Sequence, residues 1–528
     1  MTAALDLAWR GVDVTLIEVR RRGEPPPAKC NHVAARTMEI FRRLGVAGKL
    51  RNAGLPPDYP NDVSYRTTFV GQELTRIPIP CRRNRYDATE GPDVGWPTPE
   101  PPHRINQIYL EPILLDHVAQ SPRVDLRCRT ELVGYEQGAD DVEVTLRDLD
   151  AGRVYTMRCA YLVGCDGGRS VVRKEMGAVF EGDAVLQRSQ SSLIRAPSLI
   201  DLQSEPPAWA TFSLNPRRSG NCYAIDGKEH WVIHNYLREE EPDFDAVDRD
   251  WGIRTILGVG PTFKYDVVAK EDWYGRRLLA DKFRDRRVFI CGDAAHIWVP
   301  YGGYGMNAGI ADATNLTWLL AAHLNGWASS AILDAYEAER RPITEQVSYF
   351  VMDHAQAMAK QRRGVPEDIE DDSPAGRDAR ATLGKHAYEL NVQQYCAAGL
   401  NFGTYYVDSP IICHDDASAP PYTMSSFTPS TVPGCRTPHV FYADGRSLYD
   451  TLGPEFTLLR GDSGTDTTAF EEGARALGIP LVVVELEPTN RTLYTHALTL
   501  SRPDQHVAWR GNECPADTAA VLKQVIAS

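Results

Sequence analysis

Residues 287–296 read RVFICGDAAH, and residues 300–309 read PYGGYGMNAG. The apolar run at 288–290 predicts a buried β-strand, and the carboxylate of Asp293 follows at its end. A glycine-rich loop comes next, and a helix is predicted from Ile310 to about Leu324. Such a loop turns its amides, and the positive end of the following helix, toward an anionic group. The combination is improbable in a purely structural segment, so we interpret it as a cofactor site.

Two earlier segments have the same character. Residues 161–170 read YLVGCDGGRS, an apolar strand that runs into a tight turn with a carboxylate and two glycines. Glycines there allow a ligand to approach the backbone, and Asp166 adds a polar contact at the strand end. Residues 104–112 read RINQIYLEP and open a helix that continues through Leu115. A plain turn and a plain helix cap are the structural alternatives.

The start of the chain predicts a helix over residues 1–10, a C-cap at Gly11, and a strand at 14–17 that ends at Glu18. In a Rossmann unit an acidic residue after the second strand binds the ribose of an adenine dinucleotide, and Glu18 stands at that place. A surface glutamate is the alternative. A first strand and a GxGxxG turn would be expected before this helix. Their absence predicts an N-terminally truncated Rossmann unit, through either a misplaced start codon or a real loss; a misplaced start codon would leave the missing segment encoded in frame upstream.

Composition excludes several partners. The chain has 528 residues and a formal net charge of −14, and this acidity argues against nucleic acid or an anionic membrane as partner. No window has the uncharged length of a transmembrane helix, and no signal peptide is evident. Eleven cysteines occur without a CxxC or a metal-ligand spacing, so we expect reduced thiols, no metal site and a cytoplasmic location.

Together, these motifs resemble the DG and GD motifs of the group A FAD-dependent aromatic hydroxylases, the family of para-hydroxybenzoate hydroxylase and phenol hydroxylase. Residues 165–173 match the DG motif, residues 292–307 match the GD motif, and Gln107 matches in order and spacing. The resemblance spans most of the chain. It implies a monooxygenase that uses FAD, NADPH or NADH, and O2 to hydroxylate a small phenolic or related aromatic substrate through a flavin C4a-hydroperoxide.

The resemblance also implies site residues. The predicted cofactor-binding set, with Glu18 from the Rossmann pattern, is Glu18, Arg36, Gln107, Asp166, Asp293, Pro300, Gly302, Gly303, Gly305, Met306 and Asn307. Asp166 would serve both FAD and NAD(P)H, Arg36 would lie on the flavin side, and residues 302–307 would cradle the isoalloxazine.

The predicted fold class is α/β, with three units. A Rossmann-like FAD-binding domain would comprise residues 1–173 and 273–361, and an antiparallel substrate-binding sheet would be inserted at 174–272. Residues 362–410 would be a linker with a connecting helix. Residues 411–528 resemble the thioredoxin-like C-terminal domain of the phenol and chlorophenol hydroxylase branch. Its isolated cysteines predict packing or homodimer contacts instead of redox activity.

A base near the substrate oxygen would activate a phenol for hydroxylation. His32 is the predicted base, although a structural histidine is the alternative. Asn31, where phenol hydroxylase carries an aspartate, and Pro300 complete the predicted catalytic set.

Two other functions compete with this prediction. A pyridine nucleotide-disulfide reductase would need the CxxC that this sequence lacks, and a non-catalytic flavoprotein scaffold would explain the missing pyrophosphate turn. The pattern does not identify the ring. The candidate pocket residues are Trp209, Phe212, Tyr223, Trp231, His234 and Tyr236.

Overall fold

The computed structural model describes residues 1–203 and 206–528. The first part of the chain forms helices α1 (Thr2–Trp9), α2 (Ala35–Arg43), α3 (Ala47–Arg51), α4 (Gln107–Ala119) and α5 (Val171–Glu175). Its strands are β1 (Val14–Glu18), β2 (Val63–Arg66), β3 (Glu73–Ile77), β4 (Val124–Cys128), β5 (Thr130–Gln137), β6 (Val142–Asp148), β7 (Val154–Cys159) and β8 (Leu162–Gly164). The predicted opening, a helix followed by a strand that ends at Glu18, is confirmed.

The remaining elements follow in chain order. The middle segment contains β9 (Phe180–Arg195), β10 (Ala210–Ser213), β11 (Gly220–Ala224), β12 (His230–Tyr236), α6 (Arg249–Leu257), β13 (Asp266–Lys270) and β14 (Trp273–Ala280). Next come β15 (Arg284–Asp285), β16 (Val288–Ile290), β17 (His296–Ile297), α7 (Gly305–Leu324), α8 (Ala335–Arg363), α9 (Pro374–Tyr395) and α10 (Ala398–Phe402). The last segment contains β18 (Phe456–Arg460), α11 (Thr468–Leu477), β19 (Leu481–Glu485), β20 (Leu498–Ser501), β21 (Val507–Gly511) and α12 (Thr518–Val525).

Two parallel strand pairs bring the predicted motifs to one end of the Rossmann-like part. Strand β1 pairs with β4, and β8 pairs with β16 so that Gly164 stands opposite Ile290. All three residues of β16 are fully buried, in agreement with their apolar sequence. Glu18 is the last residue of β1, and Asp166 and Asp293 follow β8 and β16 closely in sequence. Because paired parallel strands place their carboxyl ends at the same edge, these acidic side chains lie at the carboxyl edges of the sheets.

The substrate-side sheet is larger than predicted. Its nine strands run in the order β17-β14-β9-β12-β11-β10-β2-β3, with β13 on the edge of β9. Strands β2 and β3 therefore come from before the predicted segment 174–272, and β14 and β17 come from after it. The pairing of β2 with β10 is parallel and joins Tyr65 to Phe212. Local sequence patterns do not report pairings between such distant segments.

Residues 362–410, where a linker with a connecting helix is predicted, contain helices α9 and α10 and pack against the substrate-side sheet. Helix α9 packs against β3, and a β-carbon at Gly384 would lie only 2.2 Å from the carbonyl oxygen of Leu74. Ile369 is fully buried, and Arg380 donates to its carbonyl oxygen at 2.8 Å. The polar composition suggested exposure to solvent, but the Arg380 guanidinium donates its hydrogen bond to a backbone carbonyl instead of to water.

The C-terminal segment forms a mixed four-stranded sheet in the order β19-β18-β20-β21, with helices α11 and α12 packed on each other. Strand β18 pairs in parallel with β19 and antiparallel with β20. Two buried ion pairs, Arg502 with Glu339 and Arg436 with Glu39, attach this segment to the rest of the molecule. Every cysteine in the described ranges is a free thiol. Within those ranges, no helix has the length and apolarity needed to cross a membrane.

Candidate active site

The loop at residues 300–307 has a backbone that suits glycine. Gly302 has a φ of 71° and Gly303 a φ of 61°, both in the left-handed region where a β-carbon crowds the backbone. A β-carbon at Gly303 would lie 3.1 Å from Cβ of His32, so the loop contacts the predicted catalytic segment directly. Helix α7 begins at Gly305, before the predicted Ile310, and has no side-chain cap. The positive end of the helix therefore faces the loop.

Asn307 clamps this loop. Its Nδ2 donates to the carbonyl oxygens of Gly303 at 2.7 Å and His32 at 3.2 Å, and its Oδ1 accepts from the amide of Ala34 at 2.9 Å. Because the side chain is buried and these groups are engaged, Asn307 fixes the distance between the loop and residues 32–34. Its contribution to a cofactor site is to position this backbone.

The segment at residues 30–32 lies between this loop and the start of helix α4. The carbonyl oxygen of Cys30 accepts from the amide of Gln107 at 2.8 Å, and Asn106 donates to Oδ1 of Asn31. Asn106 also caps the helix by accepting from Ile108 at 3.0 Å. The structure thus brings Asn31, His32, Gln107 and the glycine loop together, although the sequence separates them widely.

His32 is buried and bonded to a buried arginine. Arg104 donates to Nδ1 of His32 and lies over the ring of Trp209 at 4.7 Å. Burial, reinforced by the nearby Arg104 and Arg85 charges, lowers the pKa of His32 well below its usual range. The imidazole is therefore neutral at pH 7. Since Nδ1 accepts from Arg104, its proton is on Nε2, which can donate but not accept.

The turn at Gly292 and Asp293 is tightly packed against helix α7. Gly292 has a φ of 58°, and a β-carbon there would lie 3.4 Å from Cα of Gly309. Asp293 reaches solvent at the mouth of the cleft, and its carboxylate has no hydrogen bond or ion pair to another side chain in the described ranges. The protein atoms around the carboxyl nevertheless exclude part of its water, and this desolvation raises its pKa. The carboxylate is thus placed to accept hydrogen bonds from a ligand.

Asp312 on helix α7 stabilises the turn at Gly292 and Asp293 through hydrogen bonds. Its carboxylate accepts from the amide of Gly292 at 3.2 Å, Nε2 of His296 at 2.6 Å and Nε of Arg340 at 2.9 Å. Burial alone would raise the pKa of Asp312, but the His296 and Arg340 charges outweigh it and lower the pKa to about 2. Asp312 was not among the predicted site residues.

Asp166 serves the local fold in this structure. One carboxylate oxygen accepts from the amides of Val171 at 2.7 Å and Val172 at 3.2 Å, and so caps helix α5. Arg173 then joins the two motifs, since it donates to the carbonyl oxygens of Gly168 at 3.1 Å and Ala294 at 3.3 Å. The second oxygen of Asp166 accepts no protein hydrogen bond in the described ranges and can contact a ligand.

Glu18 and Arg36 have protein partners. Glu18 accepts from the amide of Arg20 at 2.9 Å, and Arg20 also pairs with Glu111. Arg36 pairs with Glu39 at 2.8 Å and donates to the backbone of Asp504 in the C-terminal segment at 2.6 Å. Arg36 thus contacts the C-terminal segment, and it also lines a cavity with Tyr304 and Ala308 of the glycine-loop region. Its place on the flavin side stays a prediction.

The sheet covers the loop with aromatic side chains. The Tyr236 and Tyr301 rings lie 6.4 Å apart, and the Trp209 and Tyr223 rings 5.1 Å apart. Trp231, in contrast, is fully buried and packs edge-on against Phe69 in the core. Beside Tyr236, between the sheet and helix α8, is a cavity of about 870 Å³ that is also lined by Val299, the residue before Pro300.

These residues fit FAD. The unpartnered carboxylate of Asp293 suits a polyhydroxyl chain, and the first turn of α7 suits an electron-rich ring edge. The two left-handed glycines leave the space that side chains would fill. Bound FAD would supply reduction by NAD(P)H and activation of O2.

Comparison with known proteins agrees with this geometry. Residues 1–351 match the family model described as FAD binding domain, and residues 430–528 match the model described as aromatic-ring hydroxylase, C-terminal. The chain therefore belongs to the FAD-dependent aromatic-ring hydroxylase family. It is an FAD-dependent monooxygenase with the α/β fold of these hydroxylases, as predicted from the motifs.

Individual relatives span nearly the whole chain. Tetracenomycin B2 monooxygenase-dioxygenase of Streptomyces olivaceus is 31% identical, over 100% of this chain and 96% of its own length. The rebeccamycin biosynthetic enzyme RebC, solved with reduced flavin, is 32% identical with a TM-score of 0.90, over 99% of this chain and 96% of its own. Aklavinone-11 hydroxylase, solved with FAD and aklavinone, is 27% identical with a TM-score of 0.82, over 100% and 97%. Family membership excludes the disulfide reductase alternative.

Sequence reasoning missed two buried charges, Arg104 and Asp312. Arg104 lies just before helix α4, in residues 104–112, and Asp312 lies in the helix predicted from Ile310. A charged residue in an otherwise apolar helix, or just before one, was the available signal. The partners of these charges are distant in sequence, so their roles could not be assigned.

Proposed function

We propose that this monooxygenase hydroxylates a phenolic ring of a polycyclic aromatic substrate, with NADPH or NADH as reductant. The cavity of about 870 Å³ between the sheet and helix α8, which Val299 lines just before the glycine loop, carries this proposal. Sites for drug-sized ligands enclose roughly 300–1,000 Å³. A single phenol ring would leave most of the cavity to water, whereas several fused rings would exclude water from the oxygen-transfer site.

His32 and Arg104 provide the chemistry for a phenolic oxygen. Cδ2 of His32, which neighbours Nε2, lies toward the glycine loop, 3.3 Å from the β-carbon position at Gly303. Nε2–H can therefore donate to a substrate oxygen held at the loop. Nη2 of Arg104 is buried and has no protein acceptor in the described ranges. A hydrogen-bond donor next to a buried cation stabilises a phenolate. A phenolate attacks an electrophilic oxygen far better than a phenol does.

This arrangement changes the role proposed for His32. A base must have a free lone pair, and the Nδ1 lone pair already accepts from Arg104. We therefore assign His32 as a hydrogen-bond donor that lowers the pKa of the phenol, so that the ring binds as the phenolate and its proton is released to bulk water on binding. Asn31 accepts from Asn106 and so ties the His32 segment to the start of helix α4, and Pro300 opens the glycine loop.

The C-terminal segment is proposed to be thioredoxin-like and structural. The mixed sheet β19-β18-β20-β21 supports this assignment, and Arg502 holds the segment to helix α8 through Glu339 at 2.8 Å. Homodimer formation remains a prediction.

The test is a substrate screen with the FAD-loaded protein. Naphthols and hydroxyanthraquinones would be assayed against phenol, with NADH or NADPH consumption followed and each product checked by mass for one added oxygen. We expect coupled oxygen insertion into the polycyclic phenols. Products from phenol alone would refute the polycyclic assignment, and NAD(P)H oxidation without oxygenated product from any ring would refute hydroxylation.

Variants separate the roles in this site. Arg104→Gln should reduce hydroxylation by roughly 10²- to 10³-fold, the range for removing one donor to a developing charge, while Arg83→Gln serves as the exposed control. Arg83 is a surface residue paired with Asp58 at 3.4 Å. Equal activity of the two variants would contradict the role of Arg104.

A further inference from the structure

The cavity beside the glycine loop has a cationic lining. Five arginines contribute to it, and three of them are matched by carboxylates. These pairs are Arg218 with Glu241 at 2.6 Å, Arg363 with Glu239 at 2.9 Å, and Arg238 with Glu240 at 4.0 Å. The other two, Arg188 and Arg362, have no carboxylate within 4.0 Å in the described ranges. The exposed Glu367 at the rim is likewise not within that distance of either one.

Arg188 lies on strand β9 and is half-buried. Its Nε is buried and has no hydrogen-bond acceptor among the described residues. A buried N–H without an acceptor is costly, and at a cavity wall a ligand can supply the missing acceptor. The neighbouring Gln187 also has a buried Nε2 without an acceptor. Two adjacent residues thus present donors that the protein does not use.

Arg362 approaches the same cavity from helix α8. Its guanidinium lies over the Tyr236 ring at 4.5 Å and donates to Oη of Tyr301 at 3.3 Å. Tyr301 in turn donates to Oε1 of Gln187 at 2.8 Å. This connection links Arg362 to the residue that follows Pro300. An anion bound here would therefore be fixed relative to the flavin loop.

We propose that Arg188, Gln187 and Arg362 form a carboxylate-binding subsite, and that the aromatic substrate carries a carboxyl group. The inference rests on the proposed function, because it describes the far end of the same bound ring system. Planar guanidinium groups bind carboxylates through paired hydrogen bonds, and an amide donor completes the set. The subsite would orient the rings and select acids over neutral analogues.

Binding of matched ligands tests this proposal. Rhein, a dihydroxyanthraquinone carboxylic acid, would be compared with chrysazin, which has the same rings without the carboxyl. Quenching of intrinsic tryptophan fluorescence in the FAD-loaded protein gives each Kd, independently of turnover. We expect rhein to bind about 10- to 100-fold more tightly, the range for hydrogen bonds to a charged group.

Three variants locate the effect. Arg188→Gln and Arg362→Gln should each remove most of the preference for rhein, and Arg362→Lys should restore part of it. Arg363→Gln is the matched control, since it removes the same charge from the next residue of the helix, where Glu239 already neutralises it. Thermal melting would show whether each variant is folded.

The outcomes are distinct. Equal affinities for rhein and chrysazin, or a preference that survives both glutamine substitutions, would overturn the carboxylate subsite and leave the proposed hydroxylation intact. A loss of NAD(P)H affinity with an unchanged ring preference would assign the arginines to the nucleotide phosphates instead. If neither ring binds, the ring-binding assignment and the subsite both fail.

Discussion

Replacing Gly303 with alanine should weaken FAD binding through two separable effects. At a φ of 61° a β-carbon costs about 1–2 kcal/mol in backbone energy. The new β-carbon would also lie 3.1 Å from Cβ and 3.3 Å from Cδ2 of His32, and overpacking of this kind costs about 1 kcal/mol or more. Without FAD the loop can relax, so FAD binding must restore the strained conformation. The sum, roughly 2–3 kcal/mol, corresponds to a Kd for FAD about 30- to 150-fold higher.

Gly478→Ala is the matched control for this substitution. Gly478 has a φ of 71° at the end of helix α11, and nothing lies within 4 Å of its β-carbon position. It should lose about the same backbone energy without any change in FAD affinity. Reconstitution of the apoprotein, followed by flavin absorbance and fluorescence, gives both values. A Kd for Gly303→Ala within about threefold of the parent, or an equal loss in Gly478→Ala, would refute the placement of the flavin at this loop.

Three further predictions concern charges and the pH dependence of the site. Asp293→Asn should raise the Kd for FAD by about tenfold, because it weakens the contact with the ribityl chain. Asp140→Asn, at an almost fully exposed side chain, is the control. Equal FAD affinities of the two variants in a flavin titration would contradict this prediction. The pKa of Asp312 falls from 3.8 to about 2 on folding, so its stabilisation of about 2 kcal/mol is present above pH 4 and is lost as the pH falls toward 2. Asp312→Asn should accordingly lower the Tm at pH 7, and an unchanged Tm would disprove this. The pKa of His32 is well below 6.5, so the ratio of product formed to NAD(P)H consumed should show no histidine-dependent step between pH 6 and 8. His32→Ala should release H2O2 instead of product. An unchanged ratio in this variant would refute the role of His32.

The local sequence was sufficient for the motifs. The strand at 288–290, the aspartate that follows it and the glycine-rich loop are contiguous, and each requires residue types that identify it without knowledge of distant partners. The same holds for the DG turn at 165–168 and the start of helix α4. These segments by themselves predict the family, the cofactor and the approximate location of the site.

Only the tertiary structure decided which charges serve the site. The motif placed Arg36 on the flavin side, and only the structure shows that its guanidinium also pairs with Glu39 and the C-terminal segment. His32 looked like a base, but Arg104, 72 residues away in sequence, donates to its Nδ1. The sheet likewise recruits β2 and β3 from outside the predicted segment. Hydrogen bonds and desolvation depend on distances between remote residues, so the sequence determined the chemical groups that are present, and the fold determined their protonation and partners.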